Sequence, residues 1–304
     1  MYDLISIGAV GIDLYFQGER LTHSKDRFEL AIGGKYFAER FYEGLGGGGA
    51  NVAIGVSRHN LQVALFSEIG QNAFKKIILD KLVSERINYS QFCQFEKDYL
   101  NISCILLKED GEKTIVNYRS QHQKLLETKS DLTDLKKGKA VYLANMPNIS
   151  LHERYRILTW SKHHKILTFV NLGVVDCRRP KQELREFLKK IDILIINAHE
   201  FADLVKAPFG DIDWKENVSK YYLPHFNGQL LIVTNGEKGS YAYINKHIFH
   251  QPAEKLRKIL DTTGAGDGYT AGFIAEYLQS ADIQRAMSSG TKYAARILDK
   301  IGAN

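Results

Sequence analysis

The chain has 304 residues, 44% of them hydrophobic, which suits one large buried core and excludes a disordered or fibrous protein. Forty-one Lys and Arg against 35 Asp and Glu leave +6 without a dense basic block, so small polyanions are better partners than nucleic acid. Cys93, Cys104 and Cys177 form no Cys-x-x-Cys pair, the N-terminus has no basic-then-apolar leader, and no run reaches about eighteen apolar residues; a disulfide framework, a zinc knuckle, export and membrane insertion are not expected, and a cytoplasmic protein is.

Short apolar runs ending in a polar residue or glycine recur along the chain. In order they are Leu4 to Ile7 before Gly8, Val63 to Phe66 before Ser67, Val141 to Ala144 before Asn145, Ile166 to Val170 before Asn171, Ile193 to Ile196 before Asn197, and Leu230 to Val233 before Thr234. Uninterrupted apolar runs predict strands buried on both faces, as in a parallel sheet covered by helices. Helical patterns over Ala73 to Glu85, Ser150 to His163 and Pro180 to Lys190 fall between them. The expected fold class is therefore α/β, an open and mostly parallel sheet flanked by helices, in one unit over residues 1–304. Ligands of such sheets bind outside the carboxyl ends of the strands, where the polar run-ends would collect.

Two stretches break this rhythm. Residues 14–45 mix aromatics, glycines and charges, and residues 96–120 alternate around Glu109-Asp110-Gly111-Glu112, which reads as a hairpin. Together they predict a small β-rich lid, with a plain surface hairpin as the bland alternative.

The most informative segment is Asp261-Thr-Thr263-Gly264-Ala265-Gly266-Asp267, followed by a helical pattern through Phe273. A helix start exposes amide hydrogens and the positive end of the helix dipole, and missing side chains at Gly264 and Gly266 let an anion approach the backbone. Asp267 would then stand between a hydroxyl and a phosphoryl group; a tight turn before a packed helix is the bland reading. A second cluster, Gly46-Gly47-Gly48-Gly49-Ala50-Asn51, also runs into a helix, and Asn51 offers a donor and an acceptor for hydroxyls. Its common alternative, a flexible linker, is seldom followed at once by an apolar helix face.

Three weaker signals accompany these. Asp13 follows the first strand and could accept from two hydroxyls, or could be an ordinary turn residue. Asn197-Ala-His-Glu200 could organise Mg²⁺ with few carboxylates, or simply cap a helix; it is not a zinc motif, because Asp203 stands where the second His would be. Thr234-Asn-Gly236-Glu-Lys-Gly239 reads as a nucleotide loop or a hairpin turn. Neither a Gly-x-x-x-x-Gly-Lys-Ser/Thr loop nor a Gly-x-Gly-x-x-Gly after the first strand is present, which disfavours P-loop and dinucleotide-binding enzymes.

The 261–267 run resembles the second signature of the PfkB/ribokinase family of carbohydrate kinases, and the 46–51 cluster resembles its first. Asp13, the hairpin near 110, Asn197 with Glu200, and Thr234 to Gly239 follow in that family's order, so the resemblance spans nearly the whole chain. It implies ATP-dependent phosphorylation of a hydroxyl, with Asp267 as base and an anion hole at Gly264, Ala265 and Gly266. It further implies Asp13, Gly47, Gly48 and Asn51 at the acceptor, and Asn197, Glu200, Thr234, Gly236 and Gly239 at ATP. Glu200 would hold Mg²⁺ through water, Asp261 and Thr263 a monovalent cation such as K⁺, and the lid could join two copies.

Some positions depart from the pattern. Gly48 stands where many ribokinases carry Lys, Phe169-Val-Asn171-Leu-Gly replaces an Asp-x-Asn-x-Arg run and leaves Asn171 and Arg178 without a clear role, and Gly70-Gln-Asn72 replaces Gly-x-Asp. Fructose, ribose, a keto-deoxy acid, a phosphosugar or a nucleoside all stay open as acceptor. An adenosine-type nucleoside kinase, with Tyr36, Phe37, Phe41 and Tyr42 against a base, is the alternative enzyme, and a sugar-binding regulator the non-catalytic one.

Overall fold

Strand Ile193–Asn197 sends Ile193 and Ile195 into one apolar layer and Leu194 and Ile196 into another, so both of its faces are buried. This is why its sequence is continuously apolar rather than alternating. The same division holds in Gly138–Leu143, where Ala140 and Tyr142 face one layer and Val141 and Leu143 the other. The computed structural model describes all residues except 19, 20, 22, 25, 26, 98, 121–125, 127, 128, 225, 227 and 229; parts of both expected lid insertions thus lie outside the described residues.

The main sheet has nine strands in the spatial order 247–251, 240–244, 230–234, 193–197, 167–171, 138–143, 2–7, 63–66 and 87–88. Pairing is parallel from Leu230–Thr234 to Ile87–Asn88 and antiparallel only around Ser240–Ile244. Helices Gly48–Ser57, Lys75–Ser84, Ala265–Ser280 and Ile283–Leu298 cover one face, while Leu151–His163, Lys181–Leu188 and Ala198–Val205 cover the other. The strand expected at Val141 to Ala144 starts earlier, at Gly138, because its pairing with the first strand begins at Tyr2.

A second sheet of four strands has the order 113–119, 101–107, 11–17 and 40–46. Its first strand begins at Gly11 rather than 14, so Asp13 lies within this sheet, opposite Gly44 on one side and Ser103 on the other. The turn between Asn101–Leu107 and Lys113–Arg119 closes with Gly111 at φ +88°, a left-handed conformation that favours glycine. Tyr15, Ile105 and Leu107 form a small core of this sheet, joined by Tyr42, while Phe37 and Phe41 are exposed.

Candidate active site

Helices Gly48–Ser57 and Ala265–Ser280 pack so closely that a Cβ on Gly55 would lie 2.4 Å from the Ala271 Cβ. Small residues at this crossing bring the two helix starts side by side. At the first start, Gly48 stands beside Ala144 and Gly49 against Gly8, the residues that follow two central strands. The two glycine clusters thereby meet at the carboxyl edge of the sheet, and Asn51 Nδ2 donates to Asp267 Oδ2 across 2.7 Å.

Asp267 lies in the first turn of its helix. Burial pushes its carboxyl above the ordinary value; the Asn51 bond opposes that rise and the charge of Asp13 adds to it. Asp13 is 8% exposed, and a Cβ on Gly46 would fall 2.3 Å from its carboxylate, so the absence of a side chain at 46 makes room for the acid. Burial raises the Asp13 carboxyl as well, tempered by the Ser103 hydroxyl and Lys113 and reinforced by Asp261. Two buried carboxyls with raised proton affinity stand beside the amide of Asn51, a set of donors and acceptors suited to hydroxyl groups.

Gly264 caps the second helix in the left-handed region, at φ +75°, and Gly268 N donates to Gly264 O at 2.7 Å. That is the first bond of the helix, so the amides of Ala265, Gly266 and Asp267 have no intrahelical acceptor. A Cβ on Gly266 would have no atom within 4 Å, which leaves this turn open to a ligand. Behind it, Asp261 is fully buried; Oδ1 accepts from Thr263 N at 2.8 Å and Thr263 Oγ1 at 2.7 Å, and Oδ2 from Gly302 N at 3.1 Å. Burial alone would raise this acid, but Lys113, Thr263 and Gly302 hold it below the ordinary value.

The Thr234–Gly239 loop folds as a short 3₁₀ turn between antiparallel strands, with Gly236 at φ +51° and Gly239 at φ +85°. A cavity of about 420 Å³ joins it to the helix start: Thr234, Gly236 and Gly239 line one side and Ala265 and Gly266 another. Ile259, Ala294 and Leu298 give that cavity an apolar wall. Its last-helix residues carry no motif and have no signature in the sequence.

Asn197 ends its strand and caps the next helix: Oδ1 accepts from Glu200 N at 2.8 Å, and Glu200 Oε2 from Asn197 N at 3.1 Å. The pair is a capping box, so the bland reading of these residues is realised. It does not exhaust them, because burial, with the charge of Asp267 adding to it, raises the Glu200 carboxyl to about 7. Asn171 Nδ2 ties its strand to Ile195 O at 3.0 Å, and Arg178 pairs with Asp203, which gives both residues structural partners.

Two further residues enter the site from positions without a signature. Lys113, on the edge strand of the second sheet, puts its Nζ 2.6 Å from Asp261 Oδ1. Asn304 Nδ2 donates to Asn51 Oδ1 at 3.1 Å and to Leu45 O at 2.6 Å.

The family profile described as pfkB family carbohydrate kinase matches residues 1–304. The chain belongs to the pfkB family. It is thus a kinase, a phosphotransferase with an alcohol group as acceptor. Among curated pfkB-family relatives it is 25% identical over 299 residues to the deoxyribokinase of Salmonella typhi, covering 96% of this chain and 91% of that one. It is 24% identical over 306 residues to the nucleoside kinase of Methanocaldococcus jannaschii, covering 99% and 92%.

The ribokinase-like fold is shared with solved structures. Arabidopsis thaliana ribokinase, complexed with ribose and ATP, superposes with a TM-score of 0.82 at 20% identity, covering 99% of this chain and 94% of that one. The adenosine kinase of Sinorhizobium meliloti superposes at 0.81, also at 20% identity, covering 100% and 95%. Among the described residues of this pfkB-family chain, no helix is long and apolar enough to cross a membrane.

Proposed function

We propose that this pfkB-family kinase transfers the γ-phosphoryl group of ATP to a primary hydroxyl of a sugar such as ribose or fructose. The observation that carries the reading is the 2.7 Å bond between Asn51 and Asp267, which unites a hydroxyl-binding helix start with a carboxylate beside unpaired amides. Phosphoryl transfer depends chiefly on positioning and charge stabilisation, and each part has a residue here.

Asp13, Asn51 and the backbone of Gly47 and Gly48 hold the acceptor. Asp267 takes the proton of the attacking hydroxyl as its oxygen bonds to phosphorus and the bond to ADP breaks. The amides of Ala265, Gly266 and Asp267 stabilise the negative charge on the transferring group. ATP lies in the cavity between Thr234–Gly239 and the helix start, its base against the apolar wall and its phosphates toward Gly266.

Glu200 fits a divalent cation: a carboxylate raised to about 7 by burial and a like charge is relieved by a positive ion nearby. Glu200 and Asn197 would hold Mg²⁺, which would supply neutralisation of phosphate charge. The four-stranded sheet acts as the lid that excludes water from the acceptor. Its exposed Phe41, Val116 and Tyr118 suit a homodimer through the lid, which light scattering after size-exclusion chromatography would show or refute.

Relatives include nucleoside kinases, but Phe37 and Phe41 are exposed and Tyr42 joins the small core of the lid sheet, so a sugar is the better acceptor. The test is ADP release with ATP and Mg²⁺ over a panel of free sugars, phosphosugars, sugar acids and nucleosides. Turnover with a free sugar supports the proposal. Turnover with nucleosides alone overturns the acceptor, and sugar binding by melting shift without any turnover overturns the transfer.

A further inference from the structure

The resemblance to ribokinases implies a diffusible monovalent cation at Asp261 and Thr263, and the residues present do not fit one. Lys113 Nζ already donates to Asp261 Oδ1 at 2.6 Å and to Thr262 Oγ1 at 3.0 Å, and to Thr263 Oγ1. An ammonium has three N–H donors, and these three acceptors account for all of them. The carboxylate is fully buried and the Lys113 side chain 15% exposed, so the pair is shielded from solvent. A second cation at Asp261 would meet the lysine charge a few ångströms away in a poorly screened setting.

We propose that Lys113 is a built-in substitute for the monovalent cation, so that this chain works without K⁺ or NH₄⁺. Lys113 is a positioning residue. It neutralises Asp261, whose other bonds hold Thr263 N and Gly302 N, and so fixes the turn that ends in the open amides at 265–267. The hairpin that carries Lys113 is seated against the same segment. A Cβ on Gly111 would lie 3.1 Å from Leu260 O, so the hairpin turn rests on the residues just before Asp261. One consequence is that the charge arrives with the second sheet, which couples the placement of that sheet to the order of the amide turn.

The inference rests on the proposed ATP-dependent transfer only through its rate readout, and its second readout is independent of turnover. Wild type and Lys113→Met are compared in N-methylglucamine buffer with added K⁺, NH₄⁺ or Na⁺, following both initial rate and melting temperature. Wild type is expected to respond by no more than about twofold, below the roughly fivefold or larger change of genuine coupling. Lys113→Met is expected to lose about 100-fold in rate, the scale of an ångström-sized misplacement, and to regain rate and melting temperature with K⁺ or NH₄⁺.

Activation of wild type beyond roughly fivefold by K⁺ overturns the proposal. So does a Lys113→Met protein that is fully active without cation, or one that folds, is inactive and is rescued by neither ion. Should Lys113→Met not fold, the wild-type titration decides alone, since a cation-specific rise in its melting temperature contradicts a site already filled. If no acceptor is turned over, the melting response of Lys113→Met still reads the site, so failure of the kinase reading and failure of this one are distinguishable.

Discussion

Asn51 and Asp267 are 216 positions apart in sequence and 2.7 Å apart in space, and the amide of the first restrains the proton affinity of the second. Burial and Asp13 raise the Asp267 carboxyl, and Asn51 pulls it down. As the proposed base, Asp267 would work deprotonated, so a raised pKa would bring the loss of activity on the acid side to a higher pH than an ordinary aspartate would give. Asn51→Ala should move that acid limb of kcat/KM further up. A pH–rate profile between about pH 5 and 9 checks it, and a limb that stays or moves down contradicts the assigned contact.

Glu200, the proposed Mg²⁺ ligand, should weigh activity against stability. Its folded pKa of about 7 lies above the ordinary glutamate value, so the folded state binds the extra proton and the stability cost of the charge appears as pH rises through that window. Glu200→Gln keeps an acceptor for Asn197 N, since Gln serves equally in a capping box. The variant should melt roughly 4 °C higher than wild type at pH 8, corresponding to about 2 kcal/mol, and close to the temperature of wild type only below about pH 4, where the unfolded glutamate is protonated as well. Its turnover should fall. Melting equal to that of wild type at both pH values, measured without ligand, would refute the raised carboxyl.

Gly264 and Gly266 stand two residues apart and should respond oppositely to alanine. At Gly264 the backbone is left-handed and a Cβ would lie 2.3 Å from the Ala303 Cβ. Gly264→Ala therefore costs about 1–2 kcal/mol in backbone strain before any clash is counted, and the melting temperature should drop. At Gly266 the added Cβ has open space, in the wall of the cavity proposed to take ATP. Gly266→Ala should leave melting unchanged or slightly higher and raise the KM for ATP roughly tenfold, a loss of about 1.4 kcal/mol. Calorimetry and ATP titration separate the two.

Under the proposed function, Gly48 lies beside the acceptor. A Cβ there would stand 3.5 Å from Asp267 Oδ1 and 3.7 Å from the Ala144 Cβ, which is ordinary contact without strain. Gly48→Lys should consequently fold, while its side chain extends over the base. The KM for the acceptor should change more than the melting temperature, and discrimination between small and large acceptors should shift. Unchanged acceptor kinetics would place the acceptor away from residue 48.

Much of the fold could be read from the sequence because the central parallel strands bury both faces and so carry mostly apolar runs. Val63 to Phe66 and Ile193 to Ile196 are such runs, and both lie within observed strands. The two glycine clusters were legible for a local reason, since helix starts that admit a ligand need small residues. Asp13 follows the first strand, as read, and belongs to the second sheet, whose edge strands are largely exposed and carry weaker patterns. Lys113 and Asn304 had no signal at all. Their contacts span 148 and 253 positions, and one lysine or one asparagine looks like any other until the chain has folded.

The central claim is that Asp267 removes the proton of the acceptor hydroxyl. It is tested most directly by single-turnover transfer from ATP to the best acceptor, in wild type and Asp267→Asn, with ligand binding measured by calorimetry on the same samples. The expected result is a loss of about 10²- to 10⁴-fold in the transfer rate, with acceptor and ATP still bound within a few-fold of wild type. Transfer by Asp267→Asn at a rate near that of wild type would contradict it.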